Sequence, residues 1–518
     1  MKARLVLPVI AALAALALAG CGGSSGSSDP ATLAPADTPL YVQVLLRPQG
    51  QLKKDVETLT STVSGFSDPI GELIDFLNRS MNEKPTLNGK KLSFANDIDP
   101  WLGRRAGVFL EGLAGEPPTA GIIQTTDVDA AQAFIDNSKQ QGDKDRSYEG
   151  VDYLLDGDSD LAVGMVDDFL VLGSERAFKD AVDVADDGDS LADRDEFTDA
   201  LDEAPAGSLA DAYVDVGLAI DQSGESIDDQ ALQILKAGGI DPTKATVLGS
   251  VVPTPDQVEV SFSSDLGGEE SPPTGDASQL LSSLPADSFV ALAFPGIGEQ
   301  LKAAIDRLDA RGIPGEVPPD QLKSTLARAG IDLDQIAGSI GDAALFAEGS
   351  DENSLGGALV LTARDAIEAT NTVSNIKLLL RASGAPGVSA VSGFGGRASG
   401  FAIRDKELGP RLLVVVAMGD RIAIGYGLGP ALQGVSANDT PLAETPAFAD
   451  AVASLGATPI GGFVDGPATL RLVEGLGATS DPDFRSARPY LRKVDFLAFG
   501  TGGEEDLTTS KLIVGFGK

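Results

Sequence analysis

Residues 35–38 read PADT and residues 285–288 read PADS, and each tetrapeptide opens a series that the rest of its half repeats in the same order. After the first comes PLYVQVLLRPQGQLKK and after the second FVALAFPGIGEQLKA: a strand-type apolar run, a Pro/Gly break, then Gln51–Lys53 or Gln300–Lys302 opening a helix. VFLEG ending at Gly112 is answered by LFAEG ending at Gly349, GIIQT from Gly121 by ALVLT from Ala358, and GMVDDFLVL from Gly164 by AMGDRIAI from Ala417. SLADRDEFTDAL from Ser190 returns as PLAETPAFADAV from Pro441, AYVDV from Ala212 as GFVDG from Gly462, and VEVSF from Val258 as LIVGF from Leu512. One such match is chance; this many in one order, at a nearly constant offset, are not. The expected architecture is a tandem duplication, with one unit at 33–266, a Gly/Ser/Pro-rich linker at 267–279 and a second unit at 280–518.

Within each unit two periodicities alternate. Leu52, Val56, Leu59 and Val63 recur at helical spacing, as do Ile70, Leu73, Ile74, Leu77 and Met81, and Ile297, Leu301, Ile305 and Leu308. Short apolar runs sit in pairs separated by a few polar residues, LAVGMV before FLVLG and RLLVVVAM before RIAIGYG, which predicts hairpins. Each unit is therefore expected to be α+β, a largely antiparallel sheet with helices packed on one face. In the PADT/PADS element, Pro sets φ and the Asp and Thr/Ser side chains bond nearby backbone, a turn feeding the first strand. Asp37 and Asp287 are the alternative, one functional carboxylate per unit; a site common to both copies belongs near them.

The N-terminus reads as an address. Lys2 and Arg4 precede an unbroken apolar run, Leu5–Ala19, which is short of the ~20 residues a spanning helix requires. The run ends in Leu18-Ala19-Gly20-Cys21, which resembles the lipobox of bacterial lipoproteins. That resemblance implies cleavage of a signal peptide, residues 1–20, and attachment of diacylglycerol to the Cys21 thiol. Residues 21–32 would then be a lipid-anchored flexible tether, and the chain would sit at the outer face of the cytoplasmic membrane, in the cell envelope. Cys21 is the single cysteine, so the chain has no disulfide framework.

The doubled opening, A-P-A-D-T at Ala34–Thr38 and L-P-A-D-S at Leu284–Ser288, each followed by an aromatic-containing strand, also resembles a family of bacterial envelope proteins catalogued as a domain of unknown function. The resemblance spans most of residues 33–518 and brings no catalytic residues with it.

The net charge is −38, and removal of residues 1–20 leaves 37 basic against 77 acidic side chains. Such a body repels nucleic-acid phosphates, so no nucleic-acid partner is expected. The chain contains no histidine, which excludes Ser-His-Asp and Cys-His catalysis, H-E-x-x-H zinc sites and the His-carboxylate iron site. Strings that match catalytic motifs fail on context. Ser374 and Lys377 lie within a helical pattern without the companion motifs of penicillin-recognising enzymes, and GYGLGP at 425–430 lacks the third small residue of a dinucleotide fingerprint. Trp101 beside Arg104 and Arg105 is either a ligand patch or, as is commoner for a lone tryptophan, a packing residue.

Two acidic features remain. Asp156, Asp158 and Asp160 in DGDSD, with Asp167 at the twelfth place, partly mimic a calcium loop, although Leu161 replaces its glycine. The simpler reading of DGDSD is a polar hairpin turn. Paired carboxylates elsewhere would allow glycosidase-type chemistry. The leading expectation is a non-enzymatic, lipid-anchored envelope protein that needs no cofactor. It would serve as a scaffold or bind an envelope protein, polymer or small ligand. The alternatives are a histidine-free carboxylate hydrolase of envelope polymer and a calcium-dependent adhesion or assembly module.

Overall fold

The computed structural model describes residues 29–517 apart from 65–77, 80, 83–85, 114, 224–240, 268–274, 312–320, 329–331, 383, 385–386, 391–397, 405–409, 439 and 505–506. The leader, Cys21, residues 22–28 and the Ile70–Leu77 part of the second helical pattern lie outside the described residues. Contacts divide the chain into two compact units, one running through Pro272 and including Gly503–Ser510, the other comprising Pro273–Gly502 and Lys511–Gly517.

In the first unit the strands are β1 (Leu40–Leu45), β2 (Leu102–Leu110), β3 (Thr119–Thr125), β4 (Lys144–Tyr148), β5 (Val151–Leu155), β6 (Leu161–Val166), β7 (Phe169–Ser174), β8 (Ala210–Asp215), β9 (Thr246–Pro253) and β10 (Gln257–Asp265). They lie side by side in the order β4-β5-β6-β7-β3-β2-β1-β8-β9-β10, each neighbouring pair antiparallel. The principal helices are α1 (Gly50–Ser64), α2 (Val128–Ser138), α3 (Glu175–Asp187), α4 (Asp195–Asp202) and α5 (Val216–Ser223).

The second half of the chain contains β11 (Ser288–Phe294), β12 (Ile340–Glu348), β13 (Gly356–Ala363), β14 (Val388–Ala390), β15 (Ser399–Ile403), β16 (Leu413–Met418), β17 (Arg421–Tyr426), β18 (Ile460–Asp465), β19 (Val494–Glu504) and β20 (Leu507–Phe516). Their order is β14-β15-β16-β17-β13-β12-β11-β18-β19-β20, the same as in the first unit with every strand number raised by ten. Its helices include α6 (Ile297–Arg311), α7 (Leu333–Ser339), α8 (Ala366–Ala382), α9 (Leu428–Val435), α10 (Pro446–Leu455), α11 (Gly466–Gly475) and α12 (Pro482–Leu491). Among the described residues no helix is long and apolar enough to cross a membrane.

The fold is thus α+β on antiparallel sheet, but the helices do not keep to one face. Phe109, Ile122, Val171 and Tyr153 enter one core with Phe178, Ala181 and Val182 of α3. Their chain neighbours Val108, Ile123, Leu170 and Leu154 enter another with Ala131 and Ile135 of α2. Successive strand residues point to opposite faces, so α2 and α3 cover opposite sides of the sheet. The second unit repeats this, with Val360 and Val414 packed with Ala431 and Val435 of α9, and Leu361 and Val415 with Ala369 and Val373 of α8. The expectation of one covered face is corrected accordingly. Two-sided burial was written in the strands themselves: β3 is buried at all seven positions, and β6, β7 and β16 are nearly unbroken apolar runs.

Local chemistry explains the ends of these elements. Ser174 accepts from the Ala177 amide at 3.3 Å to open α3, with Glu175 in its first turn. Asp215 and Asp465, in the repeated YVDV and FVDG strings, accept from Leu218 and Ala468 amides and start α5 and α11. The GYGLGP string has a structural reason too. A Cβ at Gly425 would stand 2.6 Å from the Ala431 backbone, and Gly427 holds φ +107° where the chain turns into α9.

Candidate functional site

The PADT and PADS elements are turns, and each is bonded to a distant segment. Thr38 N–H donates to the Pro35 carbonyl at 3.1 Å, and Ser288 N–H to the Pro285 carbonyl at 3.2 Å. Pro35 forms an isolated bridge with Ser190 and Pro285 one with Pro441, in the repeated SLADRDEF and PLAETPAF segments. Below them the aromatic pairs also correspond: Phe197 meets Tyr213 edge-on at 5.2 Å, and Phe448 meets Phe463 at 5.2 Å. Asp37 and Asp287 are both exposed at the tips of these turns.

Beside Asp37 opens a cavity of about 500 Å³, walled by the PADT turn, the residue after β2, one side of α3 and the end of α5. Four carboxyl groups face it, Asp37, Glu111, Asp180 and Asp183, with Arg176 and Gln222. Gln222 Nε2 donates to the Asp37 carbonyl at 2.8 Å and ties α5 to the turn. Arg176 reaches Glu111 Oε2 at 3.2 Å and Asp180 Oδ2 at 3.6 Å.

Glu111 is the unusual member. Its Oε1 and Asp180 Oδ2 are buried without a donor. Burial, then a hydrogen bond and charge from Asp180, push the Glu111 carboxyl up to about 8 against the opposing Arg176. Two carboxyls in contact cannot both ionise cheaply, so Glu111 retains a proton near neutrality and donates it to Asp180.

The second unit also places a glutamate near its PAD turn, with different side chains around it. Glu348, closing β12 as Glu111 follows β2, is also raised above its ordinary range, first by burial and then by Asp287. Facing it from α9 is Gln433, the position equivalent to Asp180 in the repeat. With its amide assigned from the hydrogen-bond network, Gln433 donates to the two Glu348 oxygens at 3.1 and 3.2 Å. Arg411 also opposes the rise in Glu348 and lies over the Tyr426 ring at 6.0 Å. Both acids were visible in the repeated FLEG and FAEG strings; only the strand order shows that each ends beside its PAD turn.

The other residues marked in the sequence fall elsewhere. Asp156, Asp158 and Asp160 lie in the tight turn between β5 and β6, where Asp156 Oδ1 accepts from the Asp158 and Ser159 amides at 2.7 and 2.9 Å. Asp167 lies past the other end of β6, about 20 Å away at 3.3 Å per residue, and the structure does not bring it to the other three. Among the described residues no group of three or more acidic, histidine or cysteine side chains is placed to hold a metal ion. Trp101 is a packing residue, 2% exposed, its indole N–H donating to the Asp97 carbonyl at 2.6 Å. Cys21 lies outside the described residues.

No curated protein matches the chain. Crystal structures of TP0453 in three crystal forms (I, III and IV) are similar at 8–10% identity over 46–47% of this chain and 80–82% of theirs. With TM-scores of 0.24–0.26, that likeness carries neither fold nor function across. The family described as a protein of unknown function, DUF3352, matches residues 2–463, and the chain belongs to it.

Proposed function

We propose that the chain is a lipid-anchored protein of the cell envelope, built by tandem duplication of one α+β unit. Residues 1–20 are its signal peptide and Cys21 its lipid attachment, at the outer face of the cytoplasmic membrane. Its role is to bind rather than to catalyse. The cavity beside Asp37 receives a small cationic molecule, and the second unit serves as scaffold.

The observation that carries this is the pair of equivalent glutamates, Glu111 keeping an acidic partner and an open cavity, Glu348 meeting an amide. Four carboxyls against one guanidinium in the first unit leave an excess of negative charge for a cation to offset. Identical strand orders, the two PAD-turn bridges and the two aromatic pairs support the duplication.

The contact between Glu111 and Asp180 also bears on the rival reading, a carboxylate hydrolase. Glycosidase carboxyls flank the bond they cut at roughly 5–9.5 Å, whereas these two touch. What favours that reading is a proton held near neutrality next to an acceptor. Thermal melting with agmatine or a diamine separates the two. Binding raises the midpoint in the parent and not in Asp37→Asn/Asp183→Asn. Release of soluble fragments from purified cell wall, abolished by Glu111→Gln, would replace binding with catalysis. Retention of Cys21→Ser in the membrane fraction after a high-salt wash, which removes screened surface contacts, would refute the anchor.

A further inference from the structure

The segment from Leu476 to Lys493 is built unlike the rest of the second unit. α12 has no buried residue, whereas α9 and α10 each bury several. Its side chains nevertheless sort by the helical repeat. Arg485, Arg488 and Arg492 fall at i, i+3 and i+7 along one face, and Phe484, Ala487 and Leu491, each one residue earlier, along the face beside it, about 100° round the helix. Leu491 is 41% exposed, Tyr490 39% and Leu476 56%. A ten-residue helix with no packed face is marginal in water, and Pro489 inside it removes a further backbone bond. This amphipathic face lacks the surface it was patterned for.

The charge says which surface that is. Residues 476–493 carry four basic side chains, all within 485–493, against two acidic ones, Asp481 and Asp483 at the start of the helix, in a chain of net charge −38. Arg488 is held by Glu474 at 2.6 Å, with Arg492 at 4.0 Å, while Arg485 and Lys493 make no ion pair among the described residues. The apolar row is one side chain wide, too small for a stable protein interface of about 800 Å² per partner. Cations alternating with Phe, Tyr and Leu do suit the boundary of an anionic bilayer, where the rings and leucines enter and the guanidiniums meet phosphate. The segment also lies beyond residue 463, where the family match ends.

We propose that residues 476–493 form a membrane-surface arm that docks on anionic lipid headgroups. It gives a strongly acidic body one face that a negatively charged bilayer attracts, and it acts independently of acylation. The test uses residues 21–518 with Cys21→Ser, which retains every described residue and carries no acyl chain. The protein is sedimented with phosphatidylcholine vesicles with and without phosphatidylglycerol. Binding is expected only with phosphatidylglycerol, and Arg485→Gln with Arg492→Gln should weaken it more than tenfold, at about fivefold per cation. Salt should release the parent, because the contact is exposed and screened. Equal binding to both vesicles, no binding, salt-insensitive binding, or an undiminished double variant would each overturn the arm. So would a lipid-free dimer that the same two substitutions dissolve, since the occupant would then be a second copy.

Discussion

In the first unit a glutamate following β2 faces an aspartate; in the second, a glutamate ending β12 faces a glutamine. The PAD turn and the strand order are shared, while α3 runs 13 residues against 8 in α9 and Gly429 stands where the first unit has Arg176, so the contrast is in what surrounds each glutamate. Burial first and then Asp180 favour the protonated form of Glu111, while Gln433 supplies the hydrogen bonds that let Glu348 ionise more readily than burial and Asp287 alone would allow. Two units of the same strand order thus hold one strongly raised acid and one raised less, and the difference lies in the side chains around each.

The equivalence of the two architectures can be broken first. Phe197→Ala and Phe448→Ala each remove a fully buried ring from the same point of their unit, and each should cost about 3–5 kcal/mol. Chemical denaturation with hydrogen exchange should place each loss in its own unit. A large loss for one and a negligible loss for the other would mean that the units are not built alike.

The electrostatic contrast comes next. Folded Glu111 titrates at about 8, above its ordinary 4.5, so folding takes up a proton between those values. The stability it contributes is complete below about pH 4.5 and is lost as pH rises toward 8, at no more than about 1.4 kcal/mol per pH unit. Glu111→Gln should flatten that part of the stability profile measured by urea titration. An unchanged slope would show that the proton is not shared.

Exchanging the partners sharpens the same point. Asp180→Gln should give Glu111 an amide donor and lower its titration, while Gln433→Asp should create a new acid pair at Glu348. Each is expected to change stability near neutral pH by about 1–3 kcal/mol, in opposite directions. Carboxyl titration followed by NMR reads both, and shifts of the same sign would defeat the comparison.

Much of this was legible beforehand. The antiparallel hairpins and the PAD turns follow from period-two patterns and turn residues, which are local. The two-sided sheet was equally present in runs such as FLVLG, but a short apolar run does not say whether a helix or a strand covers it. The site was least legible, because Glu111 and Asp180 are separated by β3 to β7 in the chain and meet only through sheet order. Among 77 acids nothing local distinguishes a pair that shares a proton from one that faces water. The repeat held a usable signal that single positions lacked: an acid conserved between copies at Glu111 and Glu348, opposite a position that differs, Asp180 against Gln433.

The smallest expected effect concerns the acidic turn that has no clear counterpart in the second unit. Asp156 Oδ1 closes the DGDSD turn through two backbone amides, so its oxygen is already engaged by the chain. Asp156→Ala should cost about 0.5–1.5 kcal/mol, within the range for a hydrogen-bonded turn residue. Calcium should leave the melting midpoint of the parent unchanged, because Asp167 stands beyond β6 and cannot complete a ligand set with the turn. A calcium-dependent rise that vanishes in Asp156→Asn would reverse this. It would mean that the turn opens to the ion, exchanging two amide bonds for coordination, and that the first unit carries a specialisation separate from the acid pair.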